Sequence, residues 1–83
     1  MALYVAQRQH AAVPETVQVR FGHRLRKLRN AKGWTQEEMA HRLGIDRAYL
    51  SHLERGTKNV CLPTLDVLAK GFGLSLPKLF LGL

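Results

Sequence analysis

The chain has a single cysteine, Cys61, so no disulfide can form within it. Its four histidines, His10, His23, His41 and His52, are scattered, and one cysteine cannot complete a zinc-type cluster with them. Each reads as a solvated or structural histidine, with His52 the exception argued below. No apolar run approaches the roughly 18 residues that a membrane-spanning helix needs. The first residues lack the basic start and continuous apolar core of a signal peptide. Together with the cysteine usage, this leads us to expect a reducing, cytoplasmic setting and no membrane partner. Paired carboxylates in a cleft-like context are missing, as are a nucleophile beside a base and a phosphate-binding glycine loop. An enzyme is therefore not expected, nor a cofactor or a metal. Acids are scarce: 6 Asp and Glu stand against 13 Lys and Arg, a net charge of +7. That surplus argues for a polyanionic partner, without separating DNA from RNA or from an anionic membrane surface.

What is present is enough for one small domain. The 83 residues are 46% hydrophobic, sufficient for a globular fold whose core needs every apolar helix face. Residues 1–18 show no clear period and are interrupted by Pro14, so they read as an N-terminal arm or tail. A helical turn around Tyr4 would let Tyr4 and Val5 pack onto the domain or a second subunit. Residues 19–83 read as the folded domain. Its first helix is expected over Val19 to Ala31, where Phe21, Leu25 and Leu28 repeat on one face. The other faces carry Arg20, Arg24, Arg26, Lys27, Arg29 and Lys32 with no acid among them. Gly33 ends this helix, and Trp34 is a core or near-core aromatic.

The segment from Gln36 to Arg55 is the most informative. Thr35 and Glu38 have the spacing of a capping box, which opens a second helix over Gln36 to Leu43. Met39, Ala40 and Leu43 form its apolar side, with Ala40 small enough for a close crossing. Gly44 stops it, since glycine tolerates the left-handed backbone of such a stop. Asp46 can cap a third helix, Arg47 to Arg55, whose inner face is Leu50 and Leu53. Two short helices joined by such a turn can present the second one to the DNA major groove. Gly56 closes the third helix, and residues 57–61 form a loop in which Val60 and Cys61 are expected to be buried. A fourth helix opens at Leu62 and Pro63, with Leu65, Val67, Leu68 and Phe72 inside. Ser75 caps a short fifth, Leu76 to Leu81.

The residues Gly33-Trp-Thr-Gln-Glu-Glu-Met-Ala40, Arg42-Leu-Gly44 and Tyr49-Leu-Ser-His-Leu-Glu-Arg-Gly56 resemble the helix-turn-helix of the Cro and phage-repressor family, often called XRE-type. The likeness runs from about Phe21 to Leu79. Within that family, Asp46-Arg-Ala-Tyr-Leu-Ser51 and Glu54-Arg-Gly-Thr-Lys-Asn59 are similar to restriction-modification controller proteins. The long N-terminal segment departs from the compact controllers. The resemblance implies an all-α, compact five-helix, repressor-like DNA-binding domain. It also implies that Arg47, Ala48 and His52 occupy base-contacting positions, and that Gln36 contacts phosphate and braces the recognition helix. Arg29 and Glu54 would form a partly buried ion pair between the first and third helices. A controller would regulate a restriction-modification operon, repressing or activating according to occupancy.

Helix geometry fills in the rest. With Leu50 and Leu53 inside, Arg47, Ala48, Ser51, His52 and Arg55 face outward and Tyr49 lies at the border. An arginine fork at Arg47 suits guanine O6 and N7, Ala48 a thymine methyl, and Ser51 and His52 base edges or phosphates. Phosphate contacts are expected from Gln36, Tyr49, Arg55, Lys58 and Asn59. The plainer alternative for Arg47 and Arg55 is simple solvation of the helix. Glu37 and Glu38 favour the positive end of their helix; by the same resemblance they can also contact RNA polymerase. The expected function is a sequence-specific regulator of transcription, a repressor, bound to double-stranded DNA as a homodimer. Leu76, Leu79, Phe80 and Leu83, with Leu74 and Leu81, supply a candidate dimer surface; the alternative is that they close the monomer's core. A different class of function, an antitoxin-like interaction module on the same fold, would keep the helices and hold a partner protein.

Overall fold

The computed structural model describes residues 15–83. The readings of Tyr4, Val5, His10 and Pro14 lie outside them. The described residues form five helices and no strand: α1 Val17–Lys32, α2 Gln36–Leu43, α3 Arg47–Arg55, α4 Leu62–Phe72 and α5 Leu76–Leu79. The first helix begins two residues earlier than its apolar period indicates. Thr16 is the reason, because its hydroxyl accepts from the Val19 amide at 3.2 Å and caps the first turn. Val17 and Gln18 therefore lie within α1.

The turn between α2 and α3 is built from local chemistry. Thr35 Oγ1 accepts from the Glu38 amide at 3.0 Å, and Glu38 Oε1 accepts from the Thr35 amide at 3.0 Å. At the other end of α2, Gly44 takes φ 69°. The Ile45 amide then reaches back to the Ala40 carbonyl at 3.0 Å, and Asp46 Oδ2 accepts from the Tyr49 amide at 3.0 Å. The amides of Gly44, Ile45 and Tyr49 thus find partners within a few residues, so much of this angle is prescribed locally.

The core is Phe21, Leu25, Met39, Ala40, Leu50, Leu53, Leu65, Leu68, Ala69, Phe72 and Leu79, drawn from all five helices. Trp34 stacks on Phe72 at 5.9 Å between ring centroids, half-buried and overlaid by the Arg42 guanidinium. Three readings need correction. Cys61 is exposed, because it stands at the cap position of α4 ahead of the buried turn. Val67 is 37% exposed, since Leu65, Leu68, Ala69 and Phe72 already fill the inner stripe of α4. The last helix stops at Leu79, where Phe80 leaves the helical path.

Leu79 carries the larger correction. It is fully buried in the monomer's own core and cannot belong to an open dimer surface. Its position is fixed from outside by Arg24, whose guanidinium donates to the carbonyls of Leu79 at 3.1 Å and Lys78 at 2.8 Å. Leu74 and Leu83 also pack partly against the core, leaving Leu76, Phe80 and Leu81 exposed.

α1 and α3 cross backbone to backbone. Gly22 is buried, and a Cβ built there would stand 2.6 Å from the Leu53 carbonyl oxygen. Only hydrogen fits between the two backbones. Gly22→Ala is expected to destabilise the domain by about 1–3 kcal/mol, because the helices must separate to admit a methyl group. Thermal unfolding checks it: Tm should fall by several degrees, and an unchanged Tm would mean that the crossing is not tight.

Candidate nucleic-acid interface

The third helix has two sharply different sides. Leu50, Leu53 and Glu54 are buried. Arg47, Ala48 and Arg55 are exposed, while Tyr49, Ser51 and His52 are half-buried. Each fully buried leucine is worth about 1.5–3 kcal/mol, so the inner side anchors the helix and leaves the outer side free for a ligand. The Arg47 guanidinium has no protein partner among the described residues. Its position on the first turn of the helix, with Ala48 beside it and Ser51 one turn on, is where a groove-entering helix meets base edges.

The phosphate candidates are placed less uniformly. Lys58 is exposed in the loop that follows α3. Asn59 is braced from behind, with its Oδ1 accepting from Gln18 Nε2 at 2.8 Å. The Tyr49 hydroxyl donates to the Asn59 carbonyl at 3.4 Å. Arg55 lies back along its own helix, with Nε 3.4 Å from the Ser51 carbonyl. Gln36 turns inward, and its Nε2 donates to Glu54 Oε1 at 3.0 Å. That contact ties the start of α2 to the recognition helix and leaves one amide proton and the carbonyl oxygen of Gln36 uncommitted.

Glu54 is the centre of this arrangement. It is 2% exposed, the one buried charged residue among those described. Arg29 grips it with two bonds, Nε to Oε2 at 2.6 Å and Nη2 to Oε1 at 2.9 Å. The remaining Arg29 nitrogen, Nη1, donates to the Trp34 carbonyl at 2.9 Å. Arg26 adds a longer ion pair at 3.5 Å from a half-exposed position. Burial pushes the Glu54 carboxyl up, but the bonds from Arg29 and Gln36, with the charge of Arg29 and the weaker approach of Arg26, outweigh it. The group is held below the ordinary carboxylate range. The bond from Glu54 correspondingly raises the Arg29 guanidinium. No buried side-chain nitrogen or oxygen among the described residues lacks a partner.

Arg26 was not singled out from the sequence beyond its place among the cations of α1. Its signal was its spacing: three residues before Arg29, it flanks the stripe that faces α3. Two further features lie away from the recognition helix. Leu62, at 77% exposed, stands out with Leu76, Phe80 and Leu81 as uncovered apolar surface. A cleft of about 500 Å³ opens between the start of α1 and the end of the chain, lined by Val17, Phe21, Val60, Phe80 and Leu83 with Lys58 at its rim. Among the described residues no group of His, Cys, Asp and Glu could hold a metal ion. No helix there is long and apolar enough to cross a membrane.

A family model described as helix-turn-helix matches residues 25–79, which contain α2 to α5 whole. The control protein C.MunI of Mycoplasma sp is 40% identical over 65 residues, spanning 77% of this chain and 88% of that protein. The crystal structure of the restriction-modification controller protein C.AhdI from Aeromonas hydrophila superimposes with a TM-score of 0.72 at 44% identity. That match covers 76% of this chain and 96% of the other. The controller C.Esp1396I, solved as a tetramer in complex with its natural 35 base-pair operator, gives 0.71 at 30% identity, over 81% and 88% of the two chains.

Arg29→Met should strand the Glu54 charge in the interior and lower stability by about 3–5 kcal/mol. A fall in Tm of roughly 10 °C or more is expected, and an unchanged Tm would remove the pair from the fold's supports. The same carboxylate makes stability depend on acid. Its folded pKa lies below the unfolded value of about 4.3, so its contribution is complete above that pH and is lost as pH falls through the folded value. Tm measured from about pH 5 downward should therefore decline, and more steeply than in Glu54→Gln. Parallel declines would assign the effect to other carboxylates, such as Glu38, which the Thr35 amide and hydroxyl also hold low.

Proposed function

We propose, because this chain belongs to the helix-turn-helix family, that it is a regulator of transcription that binds double-stranded DNA with sequence specificity. One observation carries the reading: α3 is locked from within by Leu50, Leu53 and Glu54 while Arg47 and Ala48 stand free on its outer face. In this proposal α3 enters the major groove. Arg47, Ala48, Ser51 and His52 meet base edges, and Gln36, Tyr49, Arg55, Lys58 and Asn59 meet phosphates. Arg26 joins the phosphate set, because its guanidinium is half exposed and only one edge faces Glu54. The net charge of +7 supplies the long-range attraction.

One recognition helix reads only a few base pairs, so the regulator acts as a homodimer on two inverted half-sites about 34 Å apart. Leu62, Leu76, Phe80 and Leu81 are the apolar surface available for self-association. The controller relatives favour a gene-control role of that kind, with repression following when a bound dimer covers a promoter. Glu37 is an exposed acid that can reach RNA polymerase, whereas the Glu38 carboxylate is engaged in the cap of α2. The apolar residues that serve a second copy could equally seat a different protein, which is the interaction-module reading.

Selection of the protein against random duplex DNA at about physiological salt tests the proposal. A motif of two inverted halves one turn apart is expected. Binding that is unselective and vanishes with salt would instead leave a charge-driven interaction and favour a protein partner. On the selected site, Arg47→Ala should cost about 10- to 100-fold in affinity and relax one position in each half. Lys58→Ala should weaken all sequences alike and reduce the salt slope by about one. Equal effects of the two substitutions on selectivity would contradict this division of labour.

A further inference from the structure

The loop that follows α3 is held against the first turns of α1. At its start a Cβ built on Gly56 would stand 2.6 Å from Val19 Cα, so the two backbones touch there. Three residues further on, Gln18 Nε2 donates to Asn59 Oδ1 at 2.8 Å, across 41 residues of sequence. The apolar period of the first helix leaves Gln18 outside it. The Thr16 cap extends the helix and brings Gln18 beside the loop. Gln18 is half-buried there, whereas Asn59 is exposed. A side-chain amide has one acceptor oxygen and one nitrogen with two donor protons. With Oδ1 committed to Gln18, Nδ2 is the free arm of an exposed side chain. Among the described residues neither of its protons goes to a protein group.

Resting on the regulator reading, in which Asn59 meets a phosphate, we infer that Gln18 is a positioning residue that acts on DNA through Asn59. Phosphate oxygens only accept hydrogen bonds, so they attract Nδ2 and repel Oδ1. The outer torsion of an asparagine is broad and roughly two-fold, and an unbraced amide turns either arm forward. The bond from Gln18 holds the acceptor arm back and keeps the donor arm available. It also restricts the rotor before DNA arrives, which lowers the ordering cost of the contact. Lys58, exposed next to Asn59, adds charge without this direction. Phosphate contacts set the register and orientation of a protein on a duplex. Through Gln18, α1 therefore helps to set where the DNA backbone lies beside α3, although α1 enters no groove. A single exposed amide pair adds little to stability, so its loss should be read in DNA binding and not in unfolding.

The test uses the full chain and a duplex carrying its selected motif. Each phosphate of one half-site is replaced in turn by an uncharged methylphosphonate, and the affinity lost is read as a ratio to the unmodified duplex. At one phosphate the ratio of the parent protein should exceed that of Asn59→Ala about threefold to tenfold, the worth of a single hydrogen bond. Gln18→Ala should show the Asn59→Ala ratio at that phosphate and parent ratios at the others. Its Tm should match the parent's. Gln18→Glu has nearly the same shape but can only accept, so it should lose the ratio as Gln18→Ala does. The double variant should bind the unmodified duplex as Asn59→Ala alone does, because Gln18 acts only through Asn59. A parent ratio retained at that phosphate in Gln18→Ala or Gln18→Glu overturns this inference alone, as do losses that add in the double variant. So does a half-site with no phosphate whose ratio Asn59→Ala changes. A parent protein that selects no motif overturns the regulator reading and this inference with it.

Discussion

A carboxylate in an apolar interior is tolerated only when donors enclose it, and in this domain Glu54 imposes that condition where three segments meet. Arg29 answers from α1, Gln36 from the first turn of α2, and Glu54 itself sits on α3. Arg29 also reaches the Trp34 carbonyl, so the linker between α1 and α2 is held by the same side chain. Hydrophobic contact alone would let α3 slide or rotate against its neighbours. The bidentate pair has a fixed geometry, and it therefore sets the rotation of α3 about its axis as well as its depth. The absence of a side chain at Gly22 lets α1 approach closely enough for that pair to form.

Fixing the rotation of α3 has a direct consequence for its outer face. With Leu50, Leu53 and Glu54 inside, the residues left outside are determined by the helical period, and they are the ones with hydrogen-bonding or methyl-reading chemistry. The cations divide in the same way. Arg29 is consumed by the interior, and Arg20 and Arg24 hold the chain's last turn through the carbonyls of Leu83, Leu79 and Lys78. Arg47, Lys58 and the exposed part of Arg26 remain available to a polyanion. A positive net charge thus resolves into cations engaged by the protein and cations left exposed, a distinction that composition does not contain.

Local devices were legible in the sequence and appear where they were read. The Thr35–Glu38 box, the stop at Gly44 and the caps at Asp46 and Ser75 act over three or four residues, so nothing distant has to be known to place them. The Arg29–Glu54 contact was legible only through family resemblance, since 25 residues separate the two. Features that depend on what covers a face were not legible. Leu79 and Phe80 are adjacent and both apolar, yet one is buried and the other is 37% exposed. Val67 fits the apolar pattern of α4 and still lies outside it. The contact between His52 and Thr57 crosses the end of a helix, where periodicity says nothing.

By itself the sequence determined that there are five helices, the caps at Thr35, Asp46 and Ser75, the turn that sets α2 against α3, and which residue types line the outer side of α3. These follow from short-range hydrogen bonding and from a 3.6-residue period. Only the tertiary structure decided which leucines close the core, which cations are spent inside it, and how near α1 approaches α3. Those outcomes depend on distances between residues far apart in the chain, and burial is a property of the assembled surface rather than of any residue within it.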